Sequence, residues 1–108
     1  MIEQRRTKRF ELNLPVEVVR AGANRVSLVG LTRNISSGGV LFTSANRMDI
    51  GGPVEYVITL SSGQTGDVNL RCMGKVLRIE ESINGAAEAY VVAASLERYE
   101  FLRSRDYA

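Results

Sequence analysis

The chain has 108 residues, 44% of them apolar and 24% charged, and a formal net charge of +2. This balance fits one domain with a packed core and excludes both wholesale disorder and a polycation. Histidine is absent and Cys72 is the single cysteine, so the commonest general base, a thiolate metal site and an internal disulfide are all excluded.

No apolar run approaches the ~20 residues that a membrane helix needs, and no apolar signal core follows the basic N-terminus. The expectation is a soluble, cytoplasmic protein with no membrane insertion, forming one domain over residues 1–108. Near its N-terminus runs Arg5-Arg6-Thr7-Lys8-Arg9, four cations in five residues with only Glu3 nearby. Terminal segments are the usual sites of disorder, so residues 1–10 read as a flexible arm carrying local positive charge.

Leu12, Leu14, Val16 and Val18 alternate with polar residues, the period of a half-buried strand. Pro15 lacks an N–H, which predicts that this strand is an edge or is bulged there. Ala21-Gly22-Ala23-Asn24 is a turn. Val26 and Leu28, then Val29 and Leu31, form a second strand whose apolar set slips at Gly30, as a bulge or bend would produce. Asn34-Ile35-Ser36-Ser37-Gly38-Gly39 is a turn, and Val40–Thr43 a short strand.

Residues 44–50 read as a connection closed by Gly51-Gly52-Pro53. Val54, Tyr56, Ile58 and Leu60 alternate, then a polar loop fills residues 61–66. Val68 to about Ile79 alternates again, Asn84-Gly85 signals a hairpin, and residues 90–95 complete the strand set. Leu96, Tyr99 and Leu102 recur every three residues, which predicts a short helix over 96–104. Closely spaced strands joined by Gly-rich turns predict an all-β fold, a small antiparallel barrel capped by that C-terminal helix.

Two of these segments carry recognition chemistry. Guanidinium is planar and permanently charged; it can clasp phosphate, stack on a base or donate to the O6/N7 edge of guanine. The amide of Asn34 and the hydroxyl of Ser36 can both donate and accept, and Gly38 and Gly39 can take positive φ and leave room for a ligand. Singly, the plainer readings outweigh these: a solvated basic terminus and an ordinary turn. Aromatic residues make up only 6% of the chain, which disfavours a single-strand nucleic-acid binder built on stacking. No nucleophile–base pair can be named, which disfavours an enzyme.

The ordered pair Arg5-x-x-x-Arg9 and Asn34-x-Ser36-x-x-Gly39, with strand-like sequence between and after, resembles the two-part signature of the PilZ family. The resemblance covers essentially the whole chain and implies a six-stranded barrel. It also implies non-catalytic binding of the bacterial second messenger cyclic di-GMP, with no cofactor and no metal. Carried over by position, Arg5 and Arg9 would hold phosphates and meet guanine, with Arg6 beside them. Asn34 and Ser36 would meet a guanine and its backbone, Gly38 and Gly39 would keep the turn open, and Arg78 would face the site from its strand. Position 34 carries Asn where the family more often has Asp. The implied output is ordering of the N-terminal arm, read by an unidentified partner protein, from a monomer or a homodimer. The alternative is a PilZ-like protein-interaction adaptor that no longer binds nucleotide.

Overall fold

A computed structural model describes residues 9–61, 68–81 and 90–103. Seven strands occur in them: β1 (Pro15–Ala21), β2 (Asn24–Ile35), β3 (Gly39–Ser44), β4 (Pro53–Ser61), β5 (Val68–Glu81), β6 (Tyr90–Ser95) and β7 (Arg98–Arg103). All pairings are antiparallel. Six strands close in the order β1-β2-β3-β6-β5-β4, with β4 pairing back onto β1, and β7 adds to β5. Among the described residues no helix is long and apolar enough to cross a membrane.

Closure depends on two long strands that change partner midway. β2 pairs with β1 up to Leu31 and with β3 from Thr32. β5 pairs with β4 up to Lys75 and with β6 from Val76. A glycine precedes each change. A Cβ on Gly30 would sit 2.0 Å from the Thr43 carbonyl oxygen, and one on Gly74 1.9 Å from that of Ser95. These corners need glycine because another backbone crosses within contact of the Cα. The slip expected at Gly30 is thus a barrel corner; the register shifts in the pairings of β2 lie elsewhere, between Val18 and Arg20 and between Thr32 and Asn34.

Alternation sends Val16, Val18, Val40, Phe42, Val54, Tyr56, Ile58, Cys72, Val76, Val92 and Ala94 inward, and Met48 joins them from the β3–β4 connection. Phe42 and Tyr56 pack with ring centroids 5.5 Å apart. The Tyr56 hydroxyl donates to the Ser95 carbonyl at 3.0 Å, so this buried phenol has a partner. On the outside, Arg20, Glu55, Arg71 and Glu100 run across β1, β4, β5 and β7. Arg20 lies 3.8 Å from Glu55; Arg71 pairs with Glu55 and lies 3.3 Å from Glu100.

Two expectations are corrected. Pro15 does not mark an edge, since β1 is flanked by β2 and β4; it is the first residue of the strand, where a missing N–H is tolerated. The C-terminal helix is replaced by strand β7. Three apolar points three residues apart suited a helix, but Arg98, Glu100 and Leu102 also alternate with Tyr99 and Phe101. The edge of β5 decided between them: β7 pairs with it from Val68↔Arg103 to Met73↔Arg98. β6 uses the same register, as Arg78↔Ala93 shows. β6 and β7 therefore form one line along β5, broken at Leu96-Glu97.

Candidate functional site

The N-x-S-x-x-G segment is the hairpin between β2 and β3. Asn34 pairs with Leu41 and Ile35 with Val40. The Ser36 N–H donates to the Gly39 carbonyl at 2.9 Å, leaving a two-residue tip, Ser37-Gly38. The Ser36 hydroxyl accepts from the N–H groups of Gly38 (3.3 Å) and Gly39 (3.2 Å) and donates to the Gly39 carbonyl (3.2 Å). It is occupied within the turn, a local hydroxyl-to-backbone closure. Neither Gly38 nor Gly39 has a positive φ; that conformation is taken by Gly22 and Gly51. Gly39 answers to close approach instead, since a Cβ there would lie 2.8 Å from the Ala94 carbonyl oxygen, whereas Gly38 faces open space.

Arg9 reaches this turn because the chain after it is pinned to β2. Phe10 and Ile35 exchange two backbone hydrogen bonds, at 2.8 and 2.9 Å. The buried Thr32 hydroxyl donates to the Leu12 carbonyl and accepts from the Leu14 N–H at 2.8 Å, while the Asn13 amide donates to the Thr32 carbonyl at 2.9 Å. One threonine thus fixes the segment that carries the second arginine of the R-x-x-x-R run.

The register then aligns Asn34, Leu41, Ala93 and Arg78 in one row across β2, β3, β6 and β5. Strands lie ~4.8 Å apart, so the row spans roughly 14 Å. An amide stands at one end, a guanidinium at the other, and two apolar side chains lie between. A pocket of about 240 Å³ covers this row and is lined by Arg9, Asn34, Ser36, Gly38, Gly39 and Arg78, together with Val40, Leu41, Leu77, Ala93 and Ala94. Its lining holds two guanidiniums and no carboxylate, which favours an anion. Arg78 rests 3.3 Å from Glu80, with both side chains 63% exposed. Such an exposed pair is weak, so Arg78 can turn to an incoming anion at little cost.

Of the residues singled out in the sequence, the structure brings Arg9, Asn34, Ser36, Gly38, Gly39 and Arg78 together; Arg5 and Arg6 lie outside the described residues. Sequence reasoning missed Leu41, Leu77 and Ala93. Strand alternation alone gives their face, but their meeting depends on β3, β6 and β5 being neighbours. Two larger hollows, of about 410 and 450 Å³, lie elsewhere. One is bounded by the Ala21–Asn24 turn and the 46–49 connection, the other by Pro15, Val19, Val29 and Val57. Neither gathers two cations without an acid.

Comparison with known proteins agrees with this fold. The PilZ domain family model matches residues 3–99. Among solved structures, the chain is similar to the inhibitor of motility MotI/DgrA of Bacillus subtilis. The TM-score is 0.67 and the identity 19%, over 92% of this chain and 44% of that one. The present chain therefore spans less than half the length of that protein. No curated protein matches the chain. Arg9 of the first motif and the Asn34–Gly39 turn share one face of a closed six-stranded barrel, and the family match covers residues 3–99: the chain belongs to the PilZ domain family.

Proposed function

We propose that this face binds cyclic di-GMP without catalysis, and that binding orders the N-terminal arm for a partner protein to read. The observation that carries the reading is the pocket lining: Arg9 and Arg78 with no carboxylate, around a flat apolar floor of Leu41 and Ala93. Phosphates would take the guanidiniums, and a purine would lie flat on the floor with its polar edge toward Asn34. At about 240 Å³, this floor is smaller than the ~300–1,000 Å³ usual for ligand pockets. Arg5 and Arg6 would supply the missing wall from the arm, which gives the arm its reason to order on binding. In this reading Ser36 shapes the turn, since its hydroxyl is already committed there. The protein acts in the cytoplasm, where the messenger is made and read.

Isothermal titration with cyclic di-GMP, with GTP and cyclic di-AMP as controls, tests the binding. Saturable heat is expected with cyclic di-GMP alone, and its loss in Arg5→Ala and Arg9→Ala with the circular dichroism unchanged. Hydrogen exchange of residues 1–10 tests the relay: protection should rise with ligand, and equal protection in both states refutes arm ordering. A folded protein that gives no heat and no thermal shift at high ligand would transfer the assignment to the adaptor reading.

A further inference from the structure

Strand β7 presents a surface that the nucleotide site does not use. Among the described residues it pairs on one side only, with β5. Its other edge offers backbone donors and acceptors of the kind that template further pairing. Tyr99 and Phe101 stand on one face of this strand, 60% and 63% exposed, in an edge-to-face pair with centroids 6.1 Å apart. They sit opposite Cys72 and Leu70, so they continue the inward face of β5 past the barrel wall. On the other face Arg98 and Glu100 alternate with them, both exposed, and Arg71 lies 3.3 Å from Glu100.

We infer that β7 is a homodimer interface, in which two copies of this chain join their β7 edges antiparallel about a two-fold axis at Glu100. The occupant is a second copy because the strand is complementary to itself in that register. Antiparallel pairing about an axis normal to the sheet keeps like faces together, so an even offset is required. Centring on Glu100 sets Arg98 against Leu102 of the partner subunit and Tyr99 against Phe101 of the partner subunit, and uses the strand from Arg98 to Leu102. On one face the two Tyr99–Phe101 pairs merge into a cluster of four aromatic rings, the type of cross-strand contact that stabilises sheets. On the opposite face the two Glu100 carboxylates meet at the axis. Directly opposed like charges are unfavourable, but each brings its own Arg71. The Arg98 of each copy also falls diagonal to the other's Glu100, so each Glu100 faces its own Arg71, shared with Glu55, and one guanidinium from the other copy.

Sedimentation equilibrium of the chain, from micromolar to millimolar concentration, should show reversible monomer–dimer association. Tyr99→Ser combined with Phe101→Ser should remain monomeric throughout that range with unchanged far-ultraviolet circular dichroism. The register is tested by oxidative cross-linking. Glu100→Cys puts two thiols directly opposite across the axis and should form a disulfide-linked dimer. Tyr99→Cys puts them on a diagonal and should cross-link at least tenfold more slowly. Cys72 is buried, with its thiol pushed up to about 12, so the unsubstituted chain is the silent control. A monomer at every concentration, or a dimer that survives the double substitution, overturns the interface; equal cross-linking of Glu100→Cys and Tyr99→Cys overturns the register.

Discussion

Glycines in this chain answer to different demands, and substitution separates them. Gly74 has no room for a Cβ, because the Ser95 carbonyl oxygen would lie 1.9 Å away on a backbone that cannot step aside. Gly74→Ala is expected to destabilise the fold by about 3 kcal/mol or more, since overpacking a barrel corner moves two strands. Gly38 has nothing within 4 Å and no positive φ. Gly38→Ala should therefore leave stability within about 0.5 kcal/mol, as for other surface changes. Denaturant titration of both variants checks the contrast. Ser36 is a third case. Removing its hydroxyl takes the acceptor from the Gly38 and Gly39 N–H groups. Ser36→Ala should lower stability by about 1–2 kcal/mol, and Ser36→Thr, which keeps the hydroxyl, should restore most of it. The same denaturation series reads this out. At this scale the sequence was informative about chemistry and less so about role. The amide, hydroxyl and glycines of the turn were legible in order, but only the structure showed the hydroxyl spent on the turn and Gly39 required by Ala94.

Elements formed where alternation was long, as in β4 and β5, and were misread where a short segment fitted two periods. The C-terminal segment from Leu96 fits a helix at Leu96, Tyr99 and Leu102 and a strand at Tyr99 and Phe101. No local rule ranks these. Pairing with β5 does, because an isolated helix this short is marginal whereas a strand joins an existing ladder. Pro15 followed the same logic: the missing N–H was legible, but its harmless position at the start of an interior strand was set by the partners. The charge ladder on the outer face is likewise a product of neighbours. Glu55 is 14% exposed and serves Arg20 and Arg71, whereas Glu100 is 53% exposed and, among the described residues, serves Arg71 alone. Glu55→Gln should lower stability by about 1–2 kcal/mol, and Glu100→Gln by less than about 0.5 kcal/mol. Paired urea titrations at low and high salt would check it, with the Glu55 effect the less screened of the two.

The whole barrel responds to pH through groups that its closure buries. Burial raises the Cys72 thiol from 9.0 to about 12 and raises the Tyr56 phenol above its ordinary range, the latter helped by nearby Cys72 and Glu97. A group whose folded pKa is raised contributes stability that is fully present below its unfolded value and is lost as pH rises through the folded one. Stability should therefore hold at neutral pH and fall from about pH 9, where the unfolded thiol begins to ionise, with Tyr56 adding to the fall at higher pH. Chemical denaturation at neutral pH, pH 9 and pH 10.5 reads this, and Cys72→Ala should make the decline shallower.

By itself the sequence determined the all-β class, most strand positions and the two motifs, because alternation, turn residues and donor–acceptor types are properties of neighbours along the chain. The tertiary structure alone decided that β2 and β5 change partner at Gly30 and Gly74, that the C-terminal segment joins β5 as a strand, and that Asn34, Leu41, Ala93 and Arg78 share one row. Those facts depend on which strands lie side by side, and in a closed barrel that is fixed by long-range pairing.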